Sequence, residues 1–209
     1  VSLTVAIDGP AGAGKGTLAR RLAGALGLPY LDTGLLYRAV ARRALDAGDD
    51  PGNPAAAEAA AKALRPGDLS RTDLRSPEAD AAASAVATHP GVRAALVQFQ
   101  RDFAASGAVL DGRDIGTVIL PGADVKLFVT ADVAARARRR WLELRDRGLH
   151  VPEAQVLAEM EARDAQDAGR AAAPLRAAPD AAVLDTTVMD ADAAFAHAME
   201  IVQARRPSA

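Results

Sequence analysis

The chain has 209 residues, half of them hydrophobic but only 3% aromatic, with 25 Lys and Arg against 27 Asp and Glu for a formal charge of −2. That length suits one α/β domain with small excursions, and the charge balance excludes the global basic field of a protein that tracks nucleic acid. With no cysteine, no signal-peptide pattern and no apolar run near the ~18 residues of a membrane span, disulfides and thiolate metal sites are excluded, and a soluble cytoplasmic protein without a membrane partner is expected.

In chain order, residues 3–8 form a short apolar run that delivers straight into Gly9-Pro10-Ala11-Gly12-Ala13-Gly14-Lys15-Gly16-Thr17, with a helix-forming stretch behind it. Backbone N–H groups freed by such glycines converge on phosphate, and the next helix start adds its positive end. Lys15 supplies a point charge for β- and γ-phosphates. A hydroxyl usually follows that lysine directly. Here Gly16 intervenes, and Thr17 carries the only hydroxyl near enough to reach a Mg²⁺ on those phosphates.

Further strands are expected at 29–31, 108–111, 125–129 and 181–184, unalternated as in a parallel sheet buried on both faces. Helices are expected at 16–26, 35–47, 55–64, 77–87, 92–105, 133–147, 152–168 and 191–204. The alternation predicts a doubly wound α/β core with the phosphate loop after its first strand. Residues 36–105 hold several helices and no convincing strand, with a turn-rich break at 65–68. Residues 131–170 read as an arginine-crowded helical hairpin. Such insertions are where an α/β protein puts a second substrate and a moving cover.

Three further features carry chemistry. Leu31-Asp32-Thr33-Gly34 closes the second strand, and Arg38 in the following helix suits bidentate grip of an acceptor phosphate. Tyr37 reads equally as a packing residue or as a wall of the acceptor pocket. Asp111-Gly112-Arg113-Asp114 ends an inner strand: Asp111 is placed to orient Mg²⁺ or its water shell, Arg113 to reach a phosphate, and Asp114 to accept hydrogen bonds from an exocyclic amine. Arg163, Asp167 and Arg170 follow steps of four and three, along one helical face as far as the helix extends. The run Arg136, Arg138, Arg139, Arg140 reads, residue by residue, as a wet surface balancing Glu143, Asp146, Glu159 and Glu161. As a group, the lid arginines suit closure over a triphosphate. The three histidines have no metal-ligand spacing, and Trp141 reads as a packing anchor.

Taken together, Ile7–Thr17, Leu31–Gly34 with Tyr37-Arg38, Leu74–Glu78, Gln100-Arg101, Asp111–Val118, Arg163-Asp164, Asp167 and Arg170–Leu175 resemble the bacterial cytidylate kinase family, in order along nearly the whole chain. The resemblance implies a P-loop kinase fold: a five-stranded parallel sheet flanked by helices, with a helical acceptor-binding region and a helical lid. It implies a core of 1–35, 106–130 and 171–209, a nucleoside-monophosphate-binding region of 36–105 and a lid of 131–170. In such a protein residues 9–17 hold ATP, and Thr17, with Asp32 and Asp111 through water, holds Mg²⁺. Thr33, Asp167 and Arg163 contact the acceptor sugar. Arg38, Arg113 and Arg170 grip phosphates and join Lys15 in catalysis, while Ser84, Arg101 and Asp114 match positions that recognise cytosine. The implied substrates are CMP and dCMP, and the implied state is a cytoplasmic monomer. Family members commonly carry a small β-rich excursion where this chain has only residues 64–74, and often an arginine at Gln166 and an asparagine near Ala81. Rival expectations are a kinase for another nucleoside monophosphate and a nucleotide-gated regulatory NTPase.

Overall fold

The computed structural model describes residues 2–171 and 173–206. Ala172, the last three residues and the side chains of Arg75 and Pro77 lie outside the described residues, and with them those parts of the family-like stretches Leu74–Glu78 and Arg170–Leu175. Five strands form one sheet in the order β2-β3-β1-β4-β5, comprising β1 (Thr4–Asp8), β2 (Tyr30–Asp32), β3 (Ala108–Gly112), β4 (Val125–Thr130) and β5 (Ala182–Asp185). The pairings β1–β3, β1–β4 and β4–β5 are all parallel, with Ile7 opposite both Asp111 and Leu127. The two strands flanking β1 come much later in the chain, so the loop after β1 lies at the centre of the sheet's carboxyl edge, where α/β folds bind ligands.

Among the described residues eight helices accompany the sheet: α1 (Lys15–Leu26), α2 (Thr33–Asp46), α3 (Pro54–Lys62), α4 (Pro77–Val86), α5 (Pro90–Ala104), α6 (Val133–Asp146), α7 (Glu153–Ala168) and α8 (Ala191–Arg205). Several start where a polar side chain caps them, as local sequence demands: Asn53, Ser76, Asp132 and Asp190 each accept from backbone N–H groups of the first turn. The expected turn-rich break is two short 3₁₀ segments, Pro66–Ser70 and Thr72–Arg75. An element with no expectation behind it is a single π-helical turn, Ile115–Ile119.

The chain divides into two compact units, one of residues up to Leu31 with 106–209, the other of 32–105. In the first, Val5, Ile7, Val109, Val125, Leu127 and Val129 of the sheet pack with Leu18 and Leu22 of α1 and with Ala198 and Val202 of α8. The scarcity of aromatics is met by close-packed Val, Leu and Ala, whose small side chains let helices approach the sheet. Within the same unit α6 and α7 form a hairpin around Ala137, Leu144, Val156 and Met160. Trp141 packs against that cluster, donates from Nε1 to the Val151 carbonyl at 3.1 Å, and lies between the Arg138 and Arg145 guanidiniums. In the second unit, α2 packs on α3 and α4, and α3 on α5.

Candidate active site

The loop after β1 has a geometry that only glycine permits. Gly9 has φ of 147°, and a Cβ there would lie 1.9 Å from the Val129 carbonyl oxygen of the neighbouring strand. At Gly12, φ 74°, a Cβ would lie 2.7 Å from Met160 Cε. The loop runs into α1 through Gly14, which offers no side-chain cap, and the first turn carries no acidic residue. The N–H groups at that helix start are therefore left for an external anion.

Lys15 is buried, and its Nζ donates to the Pro10 carbonyl at 2.6 Å, folding back over the loop it belongs to. Burial, reinforced by the Arg113 guanidinium, pulls the Lys15 ammonium well below the usual lysine range, while Asp111 and Asp8 act the other way. Asp111 is buried and accepts from Tyr30 Oη at 2.9 Å. Its other oxygen lies 3.9 Å from where a Cβ on Gly16 would stand. Thr17, one residue further on, is exposed.

Asp167 is the hub of the second cluster. It lies in the last turn of α7 and is almost fully buried, with one oxygen accepting from Arg113 Nε at 2.9 Å and the other from Arg170. Burial alone raises its pKa, but the Arg113 and Arg170 charges outweigh that and hold it below the ordinary carboxylate value. The Leu175 amide closes onto the Asp167 carbonyl, so the chain beyond α7 returns to it. Within that return Ala173 has φ of 53°, the left-handed region that a Cβ disfavours. Arg163 contributes a further positive charge near both Asp167 and Lys15. Asp114 is buried at the end of the same loop as Arg113. Within this unit, then, residues 9–17, Asp111, Arg113, Asp114, Arg163, Asp167 and Arg170 are brought into one polar neighbourhood.

The arginine run departs from a wet surface at two positions. Arg136 is buried: its guanidinium is bidentate to Asp164 at 2.6 and 3.2 Å and also donates to the carbonyls of Ala11 and Ala131. Arg139 reaches Thr186, whose hydroxyl lies 3.1 Å from the Ala13 carbonyl of the phosphate loop. The expected surface pairing holds for Arg140, with Glu143, while Arg138 is exposed and pairs with Glu153. Sequence pattern missed these two partners because they stand 28 and 47 residues away.

The unit of residues 32–105 has its own polar set. Asp32 precedes α2 but does not cap it; its carboxylate takes the Arg38 guanidinium at 3.1 Å, with Asp80 at 3.5 Å on the other side. Gly34 leaves room for this, since a Cβ there would sit 3.2 Å from Arg38 Nη1. Thr33 and Tyr37 are buried, and Ser84 donates back to the Asp80 carbonyl. Of the two arginines in α5, Arg101 is exposed and Arg93 is buried, its guanidinium 5.6 Å from the Tyr37 ring centre and bonded to the Ala87 carbonyl. Sequence reasoning selected Arg101 and passed over Arg93. The signal that could have found Arg93 is its place on the same helical stripe as Leu96 and Gln100, both buried.

Comparison with known proteins follows this geometry. The cytidylate kinase family model matches residues 5–204. The chain belongs to that family. It is 65% identical over 206 residues to the cytidylate kinase of Granulibacter bethesdensis, covering 98% of this chain and 99% of that one. It is 62% identical over 201 residues to the cytidylate kinase of Acidiphilium cryptum, covering 96% and 95%. Among solved structures, an uncharacterized protein from Eubacterium ventriosum aligns with a TM-score of 0.60 at 15% identity over 98% of this chain and all of that one. That likeness concerns the fold alone; the five-stranded parallel sheet of this chain is the P-loop kinase arrangement expected of a cytidylate kinase family member.

Proposed function

We infer that this chain is an ATP-dependent CMP and dCMP kinase, a phosphotransferase that moves the γ-phosphoryl group of ATP onto the monophosphate and releases ADP with CDP or dCDP. The observation that carries the reading is the pair of anion-ready features in one unit: the glycine loop with its open α1 start, and the Arg113 and Arg170 guanidiniums gathered on Asp167. Phosphoryl transfer between two nucleotides needs both. A nucleotide-gated switch needs only the first.

The acceptor phosphate is already anionic, so no strong general base is required, and catalysis rests on alignment and charge. Residues 9–17 bind the ATP phosphates, with Lys15 leaving the Pro10 carbonyl to follow the transferring group. Arg38, Arg113 and Arg170 hold the CMP phosphate in line. Thr33, Arg163 and Asp167 take the sugar, and Ser84, Arg101 and Asp114 take the base. Buried Arg93 beside Tyr37 joins the acceptor-side residues. Thr17 follows Gly16 in the chain, and an Asp111 oxygen lies near the same glycine; these hard oxygen donors would suit Mg²⁺. An ion held by them would supply charge neutralisation for the donor phosphates. Asp32 is committed to Arg38 and orients that guanidinium, and the family resemblance gives it a place in the water shell that such an ion would carry. The family resemblance supports a cytoplasmic monomer acting on small molecules; among the described residues no helix is long and apolar enough to cross a membrane.

The test is coupled ADP production from MgATP with CMP, dCMP, UMP, AMP and GMP offered separately at equal concentration. Strong turnover with CMP and dCMP and little with AMP or GMP is expected. Equal or absent turnover across all five overturns the reading.

A further inference from the structure

Asp8 is the last residue of β1, immediately before Gly9, and it is almost completely buried. Its two carboxylate oxygens accept, one each, from the backbone N–H groups of Ile115 and Gly116, both at 2.7 Å. These are the first two residues of the π-helical turn, and the Asp114 carbonyl closes the same turn by accepting from Val118 and Ile119. A Cβ on Gly116 would make ordinary contact with the Asp8 carboxylate at 3.4 Å and would crowd Lys126 Cδ at 3.2 Å. An ionised aspartate in such a position is costly to bury. Two charge-assisted bonds to one short turn are what compensate.

We propose that Asp8 is a positioning residue for the acceptor: its bidentate clamp on Ile115 and Gly116 sets where Arg113 and Asp114, the two residues directly before the turn, present their side chains. The carboxylate thereby joins the strand that launches the phosphate loop to the loop that holds the monophosphate. This rests on the kinase reading above. Asp8 reaches the acceptor only through the turn, while on the donor side its negative charge stands near Lys15. Without the clamp, the turn loses the anchor for two N–H groups, and Asp114 loses its fixed register against an exocyclic amine.

Asp8→Asn keeps the shape but leaves one oxygen for two N–H groups, and its own NH₂ opposes the second. In this variant the KM for CMP should rise about tenfold, the scale of losing a bond to a charged group, and the preference for CMP over UMP should fall. The affinity of the free enzyme for ATP, measured by calorimetry, should change by a smaller factor than the CMP KM, since on that side only a charge near Lys15 is lost. Amide hydrogen exchange at Ile115 and Gly116 should quicken. Asp8→Glu keeps the charge but moves both oxygens by one methylene, and it should show the same split, which keeps the idea testable where Asp8→Asn fails to fold. Faster exchange at 115 and 116 with an unchanged CMP KM and unchanged CMP-over-UMP preference overturns the proposal. So does ATP affinity that falls in step with CMP. Wild type run alongside separates the two readings. No CMP turnover by wild type overturns the kinase assignment and the clamp with it, whereas turnover by wild type with an unaltered variant overturns the clamp alone.

Discussion

Lys15 and Asp114 bear the sharpest expectations for single side chains. Lys15 sits in the phosphate loop on the Pro10 carbonyl, with Arg113 and Arg163 adding positive charge and Asp8 and Asp111 negative charge around it. An ammonium held in so little water stabilises a transferring phosphoryl group far more than an exposed one does. Lys15→Ala should lower kcat by at least about a hundredfold, the scale of one removed transition-state donor. A near-normal kcat at saturating nucleotides would sink that role. Asp114 is buried on the loop that also carries Arg113. Asp114→Ala should chiefly erode discrimination between CMP and UMP, since on the proposed reading the carboxylate would accept from an amine that uracil lacks. Steady-state rates showing an unchanged preference would contradict it.

Among the elements, the α6–α7 hairpin is tied at its base to the phosphate loop. Arg136 reaches from α6 to Asp164 on α7 and to the Ala11 carbonyl, and Met160 on α7 stands where a side chain at Gly12 would go. A buried guanidinium with so many acceptors is a strut, and removing it strands Asp164 and two carbonyls. Arg136→Met should destabilise the protein by about 3 kcal/mol, as breaking a mostly buried pair does, read as a shifted urea midpoint. A midpoint within error of wild type would show the strut to be dispensable. The segment of 3₁₀ turns at 66–75 is held differently. Arg71 pairs with Asp46 and Asp73, and Arg42 with Asp46 and Glu78, all at the surface of one unit, so this network is weakened by salt where the Arg136 strut is not.

For the whole molecule, two opposed groups of carboxylates shape stability against pH. Burial, opposed by the bonds from Gly116 and Ile115, raises Asp8 to about 6. Between the unfolded value near 3.8 and about 6, the folded state holds a proton that the unfolded chain lacks, so stability falls as pH rises through that window. The effect is bounded by about 3 kcal/mol, from roughly two pKa units. Asp167 is the reverse case, with Arg113 and Arg170 holding it low despite burial. Its contribution is present above the unfolded value and lost as pH falls through its folded pKa. Exposed Asp46, Asp73, Asp180 and Asp185 are lowered too and lose their bonds in the same acid range. Stability in urea should therefore peak on the acid side of neutrality, near about pH 4–5, and collapse below. Asp8→Asn should remove the rise and leave the collapse. A wild-type profile that falls steadily from pH 7 downward would refute the buried, titrating Asp8.

What the sequence by itself determined is local. The phosphate loop between an apolar run and a helix, and the strands and helices of the described residues, are written within windows of a few residues. Propensity, periodicity and glycine stereochemistry act over that range. What only the tertiary structure decided is who faces whom. The π turn at 115–119 has no signature of its own, and its anchor, Asp8, stands 107 residues earlier in the chain. Arg101 and Arg93 share a helix, and packing puts one in water and the other against Tyr37. Asp167 draws one of its two guanidiniums from 54 residues away, and Arg136 finds its carboxylate across the hairpin. Long charged side chains choose partners by burial and electrostatics in the finished fold, and neither quantity exists until the strands and helices that supply it have packed.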